Sequence, residues 1–357
     1  MNSTRVLAAA LTADLATGFR YGLTARAGCS FERKTIEPPV SAMPTDVYRP
    51  AGAPRMAMLL LHGLATDGKD DARLRSLAEG IARSGILVVV PEVASFRRQK
   101  VRATDVDAAR DALRTALAVA GADLPFAAGG ISYAAGPLFV AASKEEFRRR
   151  VGRLVAFGGF WDMRDVFVFA LTGRHEFLGE RYQGEPIAFV REVATEFVLD
   201  RFEGEGREKL EVLARADRET ARKAAEDRSL SEKARWFAWA LAEEEPLRVL
   251  DHIRKIDNAL ILDMWKVSPA SVAPEIPGRV ILAHSVADPM IPFTQSQKLH
   301  YALRARVPAE LTLLRRLGHE DRAPSMTGAP RKGGGAISVC RFMRRVLQPL
   351  PPAEKGA

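Results

Sequence analysis

Short apolar runs recur through the first 160 residues: Met56-Ala57-Met58-Leu59-Leu60-Leu61, Ile86-Leu87-Val88-Val89-Val90, Phe126-Ala127-Ala128 and Leu154-Val155-Ala156-Phe157. None alternates polar with apolar. That is the pattern of a strand covered on both faces, as parallel strands are. Between the runs the period changes. Leu74, Leu77, Ala78 and Ile81 fall on one helical face, and so do Val106, Ala109, Leu113 and Leu117. Upstream, Phe31 to Pro50 reads as one or two edge strands, where proline is tolerated. Strand followed by helix, repeated, predicts an α/β fold with a doubly wound, mostly parallel sheet. Right-handed crossovers would bring the strand carboxyl ends to one edge, where such folds place their chemistry.

The alternation lapses over 160–275, a segment that reads as mostly helical and heavily charged. Phe189 to Phe202 carries an apolar stripe, and Gly206 to Arg228 is dense in Glu, Arg and Lys at spacings suited to surface ion pairs. All four tryptophans (Trp161, Trp236, Trp239, Trp265) fall in this insertion. It reads as a helical subdomain with a small core of its own, or as a cap whose inner face supplies an apolar pocket; one segment can do both. The pattern then resumes with Arg279 to His284, a helix over Phe293 to Ala305, a strand over Glu310 to Leu314 and a last helix over Ala336 to Leu347. The predicted organisation is a helical segment at 1–29, a core made of 30–159 and 276–350, the cap at 160–275, and a tail at 351–357.

Composition adds constraints. A chain of 357 residues, 47% hydrophobic and 27% charged, can bury a large core. The formal charge of +9 is spread beside acidic residues. The densest basic run, Arg148-Arg149-Arg150, follows Glu145 and Glu146 at a predicted helix end, where cations suit the helix dipole. This predicts a solvated surface and no nucleic-acid partner. Cys29 and Cys340 form neither a disulfide framework nor a metal motif, and reducing, cytoplasmic conditions fit them. No apolar run is long enough to span a membrane. Val6 to Leu23 is interrupted by Asp14 and Arg20, so it reads as a packed amphipathic helix, with a secretory signal as the alternative. Oligomeric state is open.

The candidate chemistry begins at Gly129-Gly130-Ile131-Ser132-Tyr133-Ala134, a hydroxyl among very small residues between a predicted strand and a helix. A nucleophile on a sharp strand-to-helix turn needs small neighbours two before and two after it, here Gly130 and Ala134. Asp288 follows a late strand and His319 follows the next, giving the order Ser, Asp, His. An imidazole that takes the serine proton, held by a carboxylate, makes the alcohol a nucleophile. With these segments, and with Leu60-Leu61-His62-Gly63, Ala287-Asp288-Pro289-Met290-Ile291-Pro292 and Gly318-His319, the chain resembles the α/β-hydrolase superfamily over about 30–160 and 275–350. The resemblance implies a Ser132-His319-Asp288 triad, an oxyanion hole of the Tyr133 and Leu64 N–H groups, and a structural role for His62. Asp162 is the rival acid and His284 the rival imidazole. Pro137 is expected to remove a hydrogen bond in the helix behind Ser132, and so to kink it.

The reading that follows is a serine hydrolase cleaving a small-molecule carboxylic ester with an apolar portion, needing no cofactor and no metal. The alternatives are an amidase, peptidase or acyltransferase with the same triad, or a non-catalytic binding module. A haloalkane dehalogenase would need a carboxylate where Ser132 stands.

Overall fold

A computed structural model describes residues 3–16, 23–38, 42–203, 205–314 and 334–351. Its frame is an eight-stranded sheet in the order β1-β2-β4-β3-β5-β6-β9-β10. The strands are β1 (Phe31–Ile36), β2 (Thr45–Pro50), β3 (Met56–Leu61), β4 (Ile86–Pro91), β5 (Phe126–Ile131), β6 (Val151–Phe157), β9 (Arg279–Ser285) and β10 (Ala309–Leu314). β1 pairs antiparallel with β2, and β2 antiparallel with β4; every other pairing is parallel. β7 (Arg174–Phe177) and β8 (Glu180–Gln183) form a separate hairpin.

The unbroken apolar runs follow from this layering. Successive strand side chains point to opposite faces. Ala57, Leu59 and Leu61 of β3 pack into one core, with Leu113 and Phe139 from the helices Asp105–Ala120 and Ala135–Ala142. Met56, Met58 and Leu60 pack into the other, with Leu74 and Ile81 of the Ala72–Ala82 helix and Phe342 of the Gly334–Val346 helix. The Ser3–Ala16 helix contributes Ala8 and Leu11 to that second core. Asp71 starts the Ala72–Ala82 helix by accepting the Arg73 N–H at 2.8 Å, a cap worth about 1 kcal/mol.

Between β6 and β9 run seven α-helices of the described residues and the β7–β8 hairpin. The charged stretch forms the helices Glu205–Ala214 and Arg218–Glu226, with ion pairs such as Arg207–Glu211 at 2.9 Å and Lys223–Glu219 at 2.8 Å. The hairpin has no counterpart in the sequence reading. Its His175 ring stacks on Tyr182 and meets Phe169 and Phe293 edge-on, with Nδ1 3.1 Å from Thr294 Oγ1. Burial first, then the nearby Lys298 charge, push the imidazole pKa down to about 4. An unfolded-chain histidine titrates near about 6.5, so protonation favours the unfolded chain. Stability is therefore expected to fall as pH drops from about 6.5 toward 4. His175→Gln should flatten that part of a denaturant-derived stability profile; a profile parallel to wild type would clear His175 of the effect.

Parallel pairing carries β3, β5, β6, β9 and β10 in one direction, so their carboxyl ends share one edge. Leu61 pairs with Gly130, Ile131 with Phe157, and Phe157 with Ala283. His62, Ser132, Asp162 and Asp288 all leave the sheet there. Among the described residues no helix is long and apolar enough to cross a membrane.

Candidate active site

β5 is built from small residues because the chain after it must turn back tightly. Ser132 follows the strand with φ +54°, one of three non-glycine residues with positive φ among those described. This conformation costs a β-carbon-bearing residue on the order of 1–3 kcal/mol and persists where its surroundings enforce it. The turn leaves no room at position 130: a β-carbon there would lie 2.7 Å from both Cα and N of Ala135. Ala134, in place of a second glycine, is fully buried and adopts ordinary right-handed helical angles. Pro137 is a buried residue of the Ala135–Ala142 helix, which continues directly from a 3₁₀ turn over Ser132–Ala134.

The segment after β3 passes directly over the serine. A β-carbon at Gly63 would lie 3.1 Å from Ser132 Cβ and 3.0 Å from Ile131 O, so any larger residue there would have to push the two main chains apart by a few tenths of an ångström. His62 fixes that segment. Its Nε2 accepts the Val93 N–H at 3.0 Å, which leaves the proton on Nδ1 to donate to Gly63 O at 2.9 Å. Burial holds its pKa below the usual histidine value, so the ring is neutral and structural. Among the described residues nothing accepts the Leu64 N–H.

Asp288 is buried at 7% exposure. Its Oδ1 accepts the N–H groups of Met290 at 2.9 Å and Ile291 at 3.1 Å, so the acid loop folds around its own carboxylate. His284, the rival imidazole, is fully buried beneath that loop. Its Nε2 donates to Ile291 O at 2.8 Å and lies 3.5 Å from Asp288 Oδ2, and its Nδ1 is 2.7 Å from Ser296 Oγ. It fastens the loop from below. The rival acid, Asp162, caps the Met163–Thr172 helix through the Arg164 N–H and pairs with the Arg164 guanidinium at 2.5 Å. His319 lies outside the described residues. β10 ends at Leu314, which pairs with Ser285 at the edge where Asp288 emerges.

Over Ser132 lies a narrow cleft of about 40 Å³. Its floor is Ser132, Tyr133 and Leu64, and Met290 and Ile291 line it from the acid loop. The rest comes from two helices: Met163, Val166, Phe167 and Ala170 from Met163–Thr172, and Phe189, Val190, Val193 and Ala194 from Ala188–Leu199. The aromatic lining is thus phenylalanine and Tyr133, and no tryptophan takes part. Trp236 and Trp239 lie against His252, Lys255 Nζ sits 3.7 Å from the Trp236 ring centre, and the Arg164 guanidinium covers Trp265 at 4.4 Å. The Tyr133 side chain does not reach freely into the cleft, because its hydroxyl donates to Asp105 Oδ2 at 2.7 Å. Sequence reasoning missed Asp105; the signal was a tyrosine beside the nucleophile whose hydroxyl needs a partner once buried.

In three dimensions the chain is similar to Pyrococcus horikoshii acylaminoacyl peptidase, with TM-score 0.50 and 13% identity over 95% of this chain and 45% of that one. A similar likeness holds to an acylaminoacyl peptidase in complex with Z-Gly-Gly-Phe-chloromethyl ketone, with TM-score 0.51 and 14% identity over 94% and 44% of the two chains. The chain spans under half the length of either protein. No protein-family model matches the sequence, and no curated protein does. At such identities the likeness concerns the fold.

Proposed function

This chain has the α/β-hydrolase fold, and on that premise we propose that it is a serine hydrolase cleaving a carboxylic ester through an acyl-enzyme intermediate. Ser132 Oγ attacks the ester carbonyl while His319 takes its proton, and Asp288 orients and stabilises the imidazolium. The Leu64 and Tyr133 N–H groups bind the tetrahedral anion; losing one comparable donor costs roughly 3 to 4 kcal/mol. The alkoxide leaves with the proton from His319, and water releases the acyl group by the same steps in reverse order. The observation that carries the reading is Ser132, held at φ +54° on the carboxyl edge and opening into a cleft.

The cleft walls are apolar, which supports a substrate with an apolar portion, and the 160–275 segment acts as a cap that keeps water from it. A fluorophosphonate probe is expected to label the folded protein at Ser132, mapped by mass spectrometry. A folded protein that takes no label overturns the reading. The cap's part is tested at Phe189, which is half-buried in the wall. Phe189→Ala enlarges the cleft, and its kcat/KM ratio for a ten-carbon over a four-carbon p-nitrophenyl ester is expected to rise about tenfold, at the low end of methylene discrimination by apolar pockets. An unchanged ratio would place the acyl chain elsewhere.

A further inference from the structure

Both segments that present oxyanion donors lean on one stretch of chain, residues 92–105 between β4 and the Asp105–Ala120 helix. On the first segment, the Val93 N–H holds His62, Phe96 meets the His62 ring edge-on at 5.8 Å, and Arg97 Nε donates to Thr66 O at 3.0 Å. On the second, Phe96 also meets the Tyr133 ring, at 5.3 Å and 83°. The Tyr133 ring also stacks on Phe160 and is 3% exposed. Its phenol donates to Asp105, which is 1% exposed and also accepts from Ser95 Oγ at 2.6 Å and the Arg102 N–H at 2.8 Å. Burial holds the Asp105 carboxyl above the usual carboxylate range and the Tyr133 phenol well above its ordinary value.

A carboxylate this deep is expensive unless its acceptor sites are filled, and here three donors converge on it. The orientation of the Tyr133 N–H is set by the peptide between Ser132 and Tyr133. One end of that peptide is pinned by the strained Ser132, the other by a side chain anchored at its tip. Building on the hydrolase reading, we propose that Asp105 is a positioning residue for the oxyanion hole, aiming the Tyr133 N–H through the tyrosine hydroxyl. Oxyanion donors act by being aimed before the charge appears, so loosening the anchor should raise the barrier. Ground-state binding, which the apolar walls supply, is left alone.

The test compares wild type, Tyr133→Phe, Asp105→Asn and their double variant on p-nitrophenyl butyrate, with n-butylboronic acid as a tetrahedral mimic and Ser132→Ala as control. Tyr133→Phe keeps the ring packing and removes only the anchor, so it reports even if Asp105→Asn does not fold. In Tyr133→Phe, kcat should fall about tenfold with KM within about twofold, and the boronate inhibition constant should rise by the same factor. The double variant should be no worse than the poorer single one, because without the Tyr133 hydroxyl Asp105 has no path to the Tyr133 N–H. An unchanged kcat in folded Tyr133→Phe, or a loss carried by KM, overturns the assignment. Equal turnover by wild type and Ser132→Ala instead removes the hydrolase reading on which the assignment rests.

Discussion

Alanine in place of Ser132 is expected to lower kcat by about 10⁴-fold or more, with thermal stability changed little. The expected size comes from the role: without a nucleophile the acyl-enzyme cannot form, and what survives is the contribution of oxyanion donors and binding. The cleft walls belong to other residues, so KM for any residual turnover should stay near that of wild type. Stability should hold because alanine faces the same positive φ that serine already tolerates, and the residue is only partly buried. Initial rates on a p-nitrophenyl ester, with a melting curve on the same preparation, decide the matter. Activity within tenfold of wild type in a folded Ser132→Ala protein would sink the nucleophile assignment.

The second large effect is expected at Asp288. Asp288→Asn should lower kcat by about 10⁴-fold, as removing the charge beside a catalytic imidazole does by favouring the wrong tautomer. The amide oxygen can still accept from Met290 and Ile291 as Oδ1 does, so the acid loop should keep its shape. The control is Asp162→Asn. Asp162 is committed to a helix cap and to Arg164, so its loss should cost stability on the order of 1 kcal/mol and leave kcat within a few-fold. If the two variants exchange these outcomes, the acid of the triad is Asp162.

The frame was legible because its strands are covered on both faces. That demand turns β3 and β4 into apolar runs that no surface element would carry, and the helices between them show their period plainly. The elbow was legible for a steric reason: a residue with positive φ packed under a helix start tolerates only the smallest neighbours. The 160–275 segment was not legible to the same degree. β7 and β8 are short and charged, β7 largely half-buried and β8 largely exposed, and they join through Leu178 and Gly179, both with positive φ. A tight hairpin turn of that kind announces itself when asparagine or aspartate precedes the glycine, and leucine gives no such signal. The tryptophans left two readings open: their large faces serve equally as seats for Arg164 and Lys255 and as pocket walls, and only packing decides between these. The Asp105–Tyr133 contact spans 28 positions, beyond the reach of any local pattern.

The cleft draws its floor from strand ends and most of its walls from two helices of the intervening segment. Those two sources answer to different pressures. Drift at positions such as Val166, Ala170 or Val193 would change which molecules fit, while the proposed reacting groups Ser132 and Asp288 stand on other elements. On the proposed reading, selectivity and reaction chemistry are thus written into separate parts of the chain and can change independently.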